Sequence, residues 1–377
     1  MKWNLNLFLL LICFCNVSLA SITSTTLPRV WASTEYLYWW PQNSPINVPL
    51  VTQSNNPSSF AIINEPGTQI IFGSGSNNNS FNLSGMSGGR ITVGGWVNES
   101  DRFGIEGSGF GLTETKSTFS ASSVNGAIPA LNIPFFDTQN STESVLVAGH
   151  PNTVTVSDSF QPWGIELNGL FNLSNQAHFP LMLFTGLRYI NFSEKFMLND
   201  AIYDLPSFPN SVVNLRDNFS TRNNFYGLQV GTRTNFIYHK FIFDVSTSLT
   251  LGENFQKLII NGQLNENNQT ILQSIGLFAE PSNIGSFTQH QFAVVPELRV
   301  KVAYDFNKYI RPFMAYNFLY INNIIRPAEQ IDRNINKSQN PALGGTGILS
   351  GPATPSPQFN SSGMWIQGLS VGITITF

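Results

Sequence analysis

The sequence predicts an all-β fold, a closed antiparallel up-and-down transmembrane β-barrel of about ten strands. Apolar and polar residues alternate with a period of two in ten separate segments, which is the pattern of strands with one apolar face. Apolar stripes with a helical period are absent from the sequence. Long and short connections alternate between the segments, as in outer-membrane barrels, where long loops lie outside the cell and short turns in the periplasm.

The first twenty residues, MKWNLNLFLLLICFCNVSLA, are predicted to be a secretory signal peptide. Lys2 precedes an apolar run, and the small residues Ser18 and Ala20 stand where a signal peptidase cleaves. Residues 21–377 are then expected to form one barrel domain. Both cysteines lie inside the signal, so the exported chain has no thiol for a disulfide or a thiolate metal site.

Charge and composition narrow the class of protein. Without Lys2, 18 basic residues stand against 22 acidic residues, and a formal charge of −4 gives no reason to expect a nucleic-acid partner. Charged residues make up only 11% of the chain, which argues against a coiled coil or a highly charged disordered chain. Beyond the signal, no run of about 18 apolar residues is available for a transmembrane helix. Any crossing of a membrane is therefore expected through strands.

The segment FAVVPELRVKVAYDF shows the strand pattern clearly. Val300 and Val302 fall on one face, whereas Arg299 and Lys301 fall on the other. The same alternation places ten strands at about residues 29–40, 88–98, 103–115, 163–173, 180–196, 223–238, 240–256, 289–306, 309–323 and 365–377. Repetition over so many segments predicts a barrel with an apolar outer face and a polar inner face.

The connections set the expected orientation. The turns ESDR, SNQAHF, HK and NK are short, and the other five connections, which end near residues 87, 162, 222, 288 and 364, are long. An even number of strands with both termini in the periplasm places every long loop outside, so we expect a bacterial outer-membrane location. The count rises to twelve strands if the connection 116–162 contains another hairpin.

The segment WIQGLSVGITITF is the last predicted strand. It is expected to pair with the first strand and so to remove both open edges of the sheet. Its terminal aromatic residue, Phe377, resembles the signal that the outer-membrane assembly machinery recognises. Aromatic residues near strand ends, among them Tyr36, Trp39, Tyr189 and Phe192, are predicted to form girdles at the membrane interfaces.

Charged side chains on the polar strand faces are predicted to point into the lumen, because an Arg or Lys facing lipid at mid-depth costs roughly 2 to 4 kcal/mol. The candidate lumen residues are Glu35, Arg90, Glu106, Glu166, Arg188, Arg233, Asp244, Glu297, Arg299, Lys301 and Asp305. Two interpretations stay open. These charges line a pore and set its ion preference, or they pair across the lumen and fill it.

A second charged group lies at the start of the last long loop. Arg326, Glu329, Asp332 and Arg333 are closely spaced in a chain that is otherwise poor in charge. The loop block that they form is either a constriction folded into the barrel mouth or an anchor that binds neighbouring loops.

Catalytic patterns are not evident. The four histidines have no nearby Ser and acidic partner at a spacing typical of a hydrolase, and no zinc-protease or calcium-loop motif is present. We therefore expect a protein that is not an enzyme and that holds no metal or other cofactor.

Several segments resemble a known family. RVWASTEYLYWWPQNSPINVPLVT, GLRYINFSEKF, FYGLQVGTR, FAVVPELRVKVAYDF and YNFLYINNIIRPAEQIDRNIN together are similar to the putative beta barrel porin-7 family of outer-membrane barrels, known chiefly from planctomycete bacteria. The resemblance covers about residues 29–377 and includes the RPAEQIDR block. It implies an outer-membrane barrel with a porin role.

The function expected from these observations is passive diffusion of small solutes across an outer membrane. The alternative is a non-conducting structural or surface-interaction barrel whose exterior loops bind a partner. A soluble lipocalin-like barrel, which would turn its apolar face inward, is a third class. The expected partners are outer-membrane lipid and the assembly machinery, with small solutes if the lumen is open; the oligomeric state is left undefined.

Overall fold

The computed structural model describes residues 29–97, 101–123, 129–146, 151–173, 180–205, 208–267 and 270–377. The predicted signal peptide, residues 1–20, and the predicted turn SNQAHF lie outside the described residues. In the described part of the chain, no helix has the length and apolar character that a membrane crossing requires.

The described residues form strands and three short 3-10 helices. The strands are β1 (Val30–Pro41), β2 (Ser44–Pro45), β3 (Pro49–Ser54), β4 (Thr68–Gly73), β5 (Ser80–Phe81), β6 (Met86–Trp96), β7 (Phe103–Leu112), β8 (Thr115–Ser122), β9 (Ala130–Asn132), β10 (Pro134–Asp137), β11 (Thr142–Val145), β12 (Asn152–Asn172), β13 (Leu181–Leu205), β14 (Phe208–Tyr238), β15 (Phe241–Glu266), β16 (Thr270–Gln273), β17 (Gly285–Tyr304), β18 (Ile310–Ile325), β19 (Asn334–Ile335) and β20 (Ser361–Thr376). The 3-10 helices are Pro327–Gln330, Lys337–Gln339 and Pro341–Leu343.

Ten of these strands close into a ring in the order β1, β6, β7, β12, β13, β14, β15, β17, β18 and β20. Neighbours in the ring are antiparallel, and β1 pairs with β20 from Trp31↔Thr376 to Pro41↔Ile366. The predicted closed barrel of ten strands is confirmed. The connection 116–162 adds no hairpin to the ring, because β8 pairs only with the exterior part of β12.

The outer face of the ring is apolar on every strand. One exposed apolar side chain can be named from each of the ten strands in turn: Tyr36, Ile91, Ile105, Leu167, Leu187, Leu228, Leu251, Val300, Met314 and Val371. A continuous exposed surface of this kind is the face that a transmembrane barrel turns to lipid. The charged side chains at the same level of these strands, such as Arg188 and Glu297, therefore lie on the inner face.

A row of aromatic rings marks the exterior edge of this apolar surface. Trp163, Tyr189, Tyr226 and Phe255 lie on β12, β13, β14 and β15, with successive ring centroids 5.0, 4.7 and 5.6 Å apart. We call these four residues the aromatic belt. The girdle prediction was wrong for Trp39 and Phe192, which lie on inward faces and are buried inside the barrel.

Four strands, β12 to β15, continue beyond the aromatic belt. The predicted long loops 197–222 and 257–288 are therefore largely strand, since β13 ends at Leu205 and β15 at Glu266. Likewise β12 begins at Asn152, inside the connection that was expected to be a loop up to residue 162.

A reversal of the side-chain pattern explains this error. On β13 the exposed Leu187 lies on the outer face below the aromatic belt, whereas the apolar Phe196 and Leu198 point inward above it and are buried. The apolar residues thus change face in the middle of a continuous strand. Because successive side chains point to opposite faces, such a change of phase looks like the end of a strand in the sequence.

The strand extensions and the described parts of the long connections fold together into what we call the exterior cap, residues 42–85, 113–123, 129–146, 151–161, 191–205, 208–224, 254–267, 270–291 and 326–360. Its hydrophobic core includes the fully buried Phe135, Phe196, Phe219, Phe278 and Ile335. Three small sheets lie in the connections, formed by β2 with β5, by β3 with β4 and β9, and by β10 with β11 and β19. The long loops are therefore packed against the inner wall of the extended strands.

Candidate functional site

The lumen contains a layer of charged side chains that pair with one another. Arg188 on β13 contacts Glu297 on β17, and the strands β14 and β15 lie between these two in the ring. The guanidinium of Arg188 also lies 3.9 Å from the carboxylate of Glu166. Arg233 donates to Glu106 at 2.8 Å, and these residues also lie on strands that are not adjacent. The partners therefore meet across the interior of the barrel.

Further pairs complete this charged layer. Arg299 donates to Glu35 at 2.7 Å, and Lys301 lies 3.7 Å from Asp244. The charged layer thus brings together the seven predicted pore-lining residues, Glu166, Arg188, Arg233, Asp244, Glu297, Arg299 and Lys301. Asp305, also proposed for the lumen, instead follows the end of β17 and pairs with Arg311.

An apolar layer lies directly on the exterior side of the charged layer. Ile190 lies two residues beyond Arg188 on the same face of β13. On β17, Val295 likewise lies two residues to the exterior side of Glu297. The apolar layer consists of Leu37, Trp39, Phe160, Ile190, Phe192, Phe225, Val295, Leu319, Ile321, Met364 and Ile366, which form one contiguous buried cluster. Their exposed fractions lie between 0% and 3%, so neither the cap side nor the charged side brings water to them.

Little free space is left beside the charges. A cavity of ≈ 100 Å³ borders Glu106, Arg233 and Asp244, and one of ≈ 10 Å³ borders Arg90 and Arg188. Since a water molecule occupies about 30 Å³ in the liquid, the larger cavity holds only a few waters. The Arg233, Arg299 and Lys301 side chains are 21% to 26% exposed, so solvent still reaches the paired charges in the described lumen, and the apolar layer is what closes it.

Above the apolar layer, Arg326 of the loop block is fully buried. Its guanidinium donates to both oxygens of Glu194 at 2.7 to 3.1 Å and to the backbone carbonyls of Gln42 and Asn43. Burial alone would lower the pKa of Arg326, but the charge and hydrogen bonds of Glu194, together with the other nearby carboxyl groups, outweigh it and the pKa is raised. One side chain thus joins the last long loop and the first long loop to the wall of β13.

Asp158 on β12 completes this buried group. Both of its carboxylate oxygens are buried without a hydrogen-bond donor among the described residues. Burial, together with the negative charge of Glu194, raises the pKa of Asp158 well above its usual range. Asp158 thus adds a second buried carboxyl group beside the ion pair of Glu194 and Arg326.

The other residues of the loop block also bind neighbouring segments. Arg333 donates to Glu143 at 2.7 Å and to the carbonyl of Pro134. Glu329 accepts from Ser362 at 2.7 Å, and Asp332 accepts from the backbone and hydroxyl of Ser356. These contacts are of the kind expected of a loop anchor, whereas the closure of the lumen comes from the apolar layer below.

A groove of ≈ 610 Å³ opens on the exterior cap beside this loop block. Its lining combines the ring of Phe136 with Asn334, Gln358 and Asn360. Arg333 and Asp332 also line it, but their charges are engaged by Glu143 and Ser356. The volume lies within the range of about 300 to 1,000 Å³ that is usual for ligand sites. The groove therefore offers amide groups and one aromatic ring, beside the Arg333–Glu143 ion pair and the hydrogen-bonded carboxylate of Asp332.

Sequence reasoning missed the apolar layer and the partners of Arg326. Leu37 and Ile190 occupy inward positions, and this apolar character on a polar face was the available signal. Glu194 and Asp158 lie far from Arg326 in the chain, and no local pattern connects them. Phe377 is exposed, and its backbone N–H donates to the carbonyl of Val30 at 2.9 Å.

Comparison with known proteins gives one family match. Residues 31–377 match the family described as Putative beta barrel porin-7 (BBP7). No protein among the curated sequences matches the chain.

Solved outer-membrane proteins show a weak structural similarity. The outer membrane protease OmpT of Escherichia coli has a TM-score of 0.48 and 9% identity, with 94% of this chain and 100% of that chain covered. A Pseudomonas aeruginosa FadL homologue has a TM-score of 0.30 and 10% identity, with 93% and 90% covered. Outer-membrane expressed OmpT of Vibrio cholerae has a TM-score of 0.13 and 8% identity, with 92% and 97% covered. Scores this low say nothing about the chemistry of this chain.

Proposed function

This chain belongs to the Putative beta barrel porin-7 (BBP7) family, and from that premise we propose that it is a non-conducting outer-membrane barrel whose exterior cap binds a partner at the cell surface. Membership in this family points to the bacterial outer membrane. The proposal concerns the work that the barrel does there.

The apolar layer is the observation that carries the proposal. Leu37, Ile190, Phe225 and Val295 are completely buried inside the ring. A hydrated solute would have to separate these side chains and give up its own hydration to pass between them, which is costly in a low-dielectric interior. The paired charges below occupy part of the space that a wider barrel leaves for water.

The groove on the exterior cap is the proposed binding site. Because Arg333 is paired with Glu143 and Asp332 adds a further carboxylate, the described residues that line the groove include no free cation for an anionic ligand. Amide groups of Asn334 and Gln358 suit hydroxyl donors and acceptors, and Phe136 provides an apolar ring face. These features support a neutral saccharide as the ligand class.

A liposome-swelling assay tests the closed lumen. Liposomes that contain the folded protein are transferred into isotonic arabinose, and we expect the swelling rate of empty liposomes. The Phe225→Ser/Leu319→Ser variant introduces hydroxyls into the apolar layer and is expected to swell faster. Arg233→Ser changes the charged layer alone and serves as the matched control, with no increase expected. Rapid swelling of the wild-type protein with a dependence on sugar size would overturn the proposal.

Passive diffusion of small solutes is the second candidate function. The family description as a porin favours it, and it requires that the apolar layer part during transport. Fast swelling of wild-type liposomes is its supporting result in the same assay.

Three further expectations accompany this proposal. Export through a signal in residues 1–20 is tested by amino-terminal sequencing of the membrane-bound protein, which should begin near Ser21. Recognition of Phe377 by the assembly machinery is tested by Phe377→Ser, which should reduce the folded, heat-modifiable fraction. We also propose that the chain is not an enzyme; turnover of a hydrolase substrate by the purified barrel, lost with the fold, would contradict this. Among the described residues, no group of three or more His, Cys, Asp or Glu side chains is placed to hold a metal ion.

A further inference from the structure

Four basic side chains share the outer wall of the exterior cap. They are Lys116 on β8, Lys195 on β13, Arg222 on β14 and Lys257 on β15, and we call them the basic patch. Lys116, Lys195 and Arg222 are exposed and Lys257 is half-buried. All four occur on the outward face above the aromatic belt.

Strand register brings the basic patch together in two neighbouring rows. In the first row Lys116 pairs with Ser159, Ser159 with Lys195, and Lys195 with Ser220. In the second row Ser193 pairs with Arg222, and Arg222 with Lys257. Paired strands lie about 4.8 Å apart, and residues two apart on one strand are about 7 Å apart, so the rows form one surface. Serines separate the cations of the first row, and the hydroxyls of Ser193 and Ser220 donate to Asn191 and Asn218, so the anion-binding donors of this surface are the four cations.

The basic patch differs from the cations inside the barrel in its lack of carboxylate partners. Arg188, Arg233, Arg299 and Lys301 are all paired in the lumen. No salt bridge joins a member of the basic patch to a carboxylate within the described ranges. Arg222 and Lys257 are even directly opposite each other, an arrangement that is unfavourable for like charges without an anion between them.

The position of the basic patch relative to lipid suggests the anion. Arg222 lies four residues from Tyr226 of the aromatic belt, on the same face of β14. The two residues are about 13 Å apart along the strand, and their separation along the membrane normal is smaller because the strand is tilted. Aromatic residues lie at the boundary between hydrocarbon and headgroups, and long basic side chains just outside it can turn back towards the headgroups. The carboxylate of Glu253, which lies at the level of the belt, is bonded to His290 at 3.0 Å.

We propose that the basic patch binds the phosphate groups of lipid headgroups in the outer leaflet and so fixes the height and rotation of the barrel in the membrane. Four cations complement a phosphate-bearing surface. The patch is continuous with the lipid-facing surface, so a lipid whose acyl chains lie on the apolar wall presents its headgroup at this level. The partner is a lipid whose phosphate groups give it a net negative charge, such as a phosphorylated glycolipid, and is neither a zwitterionic lipid nor free phosphate.

Native mass spectrometry of the folded barrel in neutral detergent tests this proposal. The wild-type protein is titrated with bis-phosphorylated lipid A and, separately, with phosphatidylcholine. The test variant is Arg222→Gln/Lys257→Gln. The matched control is Lys240→Gln/Lys308→Gln, which removes the same charge at the opposite rim. Heat modifiability on a gel verifies that each variant is folded, and Lys195→Gln provides a second, single-charge variant.

We expect lipid A to bind the wild-type protein and the control variant equally. The test variant should bind about thirty-fold more weakly, the loss expected when two basic side chains leave an anionic surface, and Lys195→Gln should lose an intermediate amount. Raised salt should weaken the binding of lipid A. Phosphatidylcholine should bind all variants alike.

Two results would overturn the proposal. Equal binding of lipid A by the test and control variants would mean that the basic patch is an ordinary solvated surface. Displacement of lipid A by inorganic phosphate at comparable concentration would mean that the patch is an unspecific anion site with no preference for lipid.

Discussion

Replacement of Arg326 by methionine is expected to loosen the exterior cap from the barrel. Arg326→Met keeps most of the side-chain volume but removes the guanidinium donors to Glu194 and to the carbonyls of Gln42 and Asn43, and leaves Glu194 with the hydroxyl of Ser44 as a neutral donor. Loss of one partner of a fully buried ion pair typically costs about 3 to 5 kcal/mol, because a buried charge is left without compensation.

Hydrogen exchange measures this effect where it occurs. When an opened segment closes again faster than its amides exchange with solvent, the protection factor of an amide reports the free energy of the local opening. A loss of about 3 to 5 kcal/mol corresponds to a decrease in protection between about 100-fold and about 5,000-fold for residues 326–335. Residues in the lipid-facing parts of the ring strands should keep their protection, since the substitution leaves the charged and apolar layers intact.

Arg333→Met is the matched control for this prediction. The Arg333 and Glu143 side chains are 15% and 23% exposed, so their ion pair is worth only about 0.2 to 1 kcal/mol. Its loss should change protection by less than about tenfold. Glu194→Gln/Arg326→Met should recover part of the loss, because no charge is then left buried. Equal effects of the two single substitutions, or no recovery in the double variant, would refute the assignment of Arg326 as the buried anchor.

Three other changes test separate parts of the structure. Burial raises the pKa of Glu280 to about 9, so the folded cap keeps a proton that the unfolded chain releases above about 4.5. The free energy of local unfolding of the cap should therefore fall by about 1.4 kcal/mol per pH unit between these two values and level off above 9. Hydrogen exchange at a series of pH values measures this, and in Glu280→Gln the dependence on pH should disappear. A Cβ added at Gly368 would overlap with Trp39, whereas one at Gly111 meets nothing within 4 Å. Gly368→Ala should therefore lower the free energy of unfolding by about 1 to 3 kcal/mol and lower the unfolding temperature on heat-modifiability gels, whereas Gly111→Ala should leave that temperature unchanged. Arg299→Met removes a lumen pair but leaves the apolar layer in place, so liposome swelling should stay at the wild-type rate, and faster swelling would show that the charges close the barrel.

The ring of strands could be predicted from the sequence because each membrane-spanning strand has one apolar face. Val300 and Val302 alternate with Arg299 and Lys301, and lipid tolerates only one orientation of such a strand. Because charged side chains avoid lipid, the same alternation predicts that Arg299 and Lys301 face the lumen. Both inferences depend on local alternation, which a sequence displays directly.

The closure of the lumen could not be predicted in the same way. Which charges meet inside depends on the stagger and diameter of the barrel, and Arg188 reaches Glu297 from a strand that is not its neighbour. The apolar layer was hidden because Leu37 and Ile190 are apolar residues on a face expected to be polar. The extent of β13 was underestimated because its apolar side chains change face beyond the aromatic belt. Each error comes from a change of environment along the barrel axis, which local periodicity does not report.

Single-channel recording in a planar bilayer is the most direct test of the closed barrel. The protein, folded in detergent and verified by heat modifiability, is inserted into the bilayer and held under a steady voltage. The closed lumen predicts insertion without discrete conductance steps, and steps only when the apolar layer is disrupted by Phe225→Ser/Leu319→Ser. Reproducible steps of one size from the wild-type protein would contradict the account and establish the chain as an open pore.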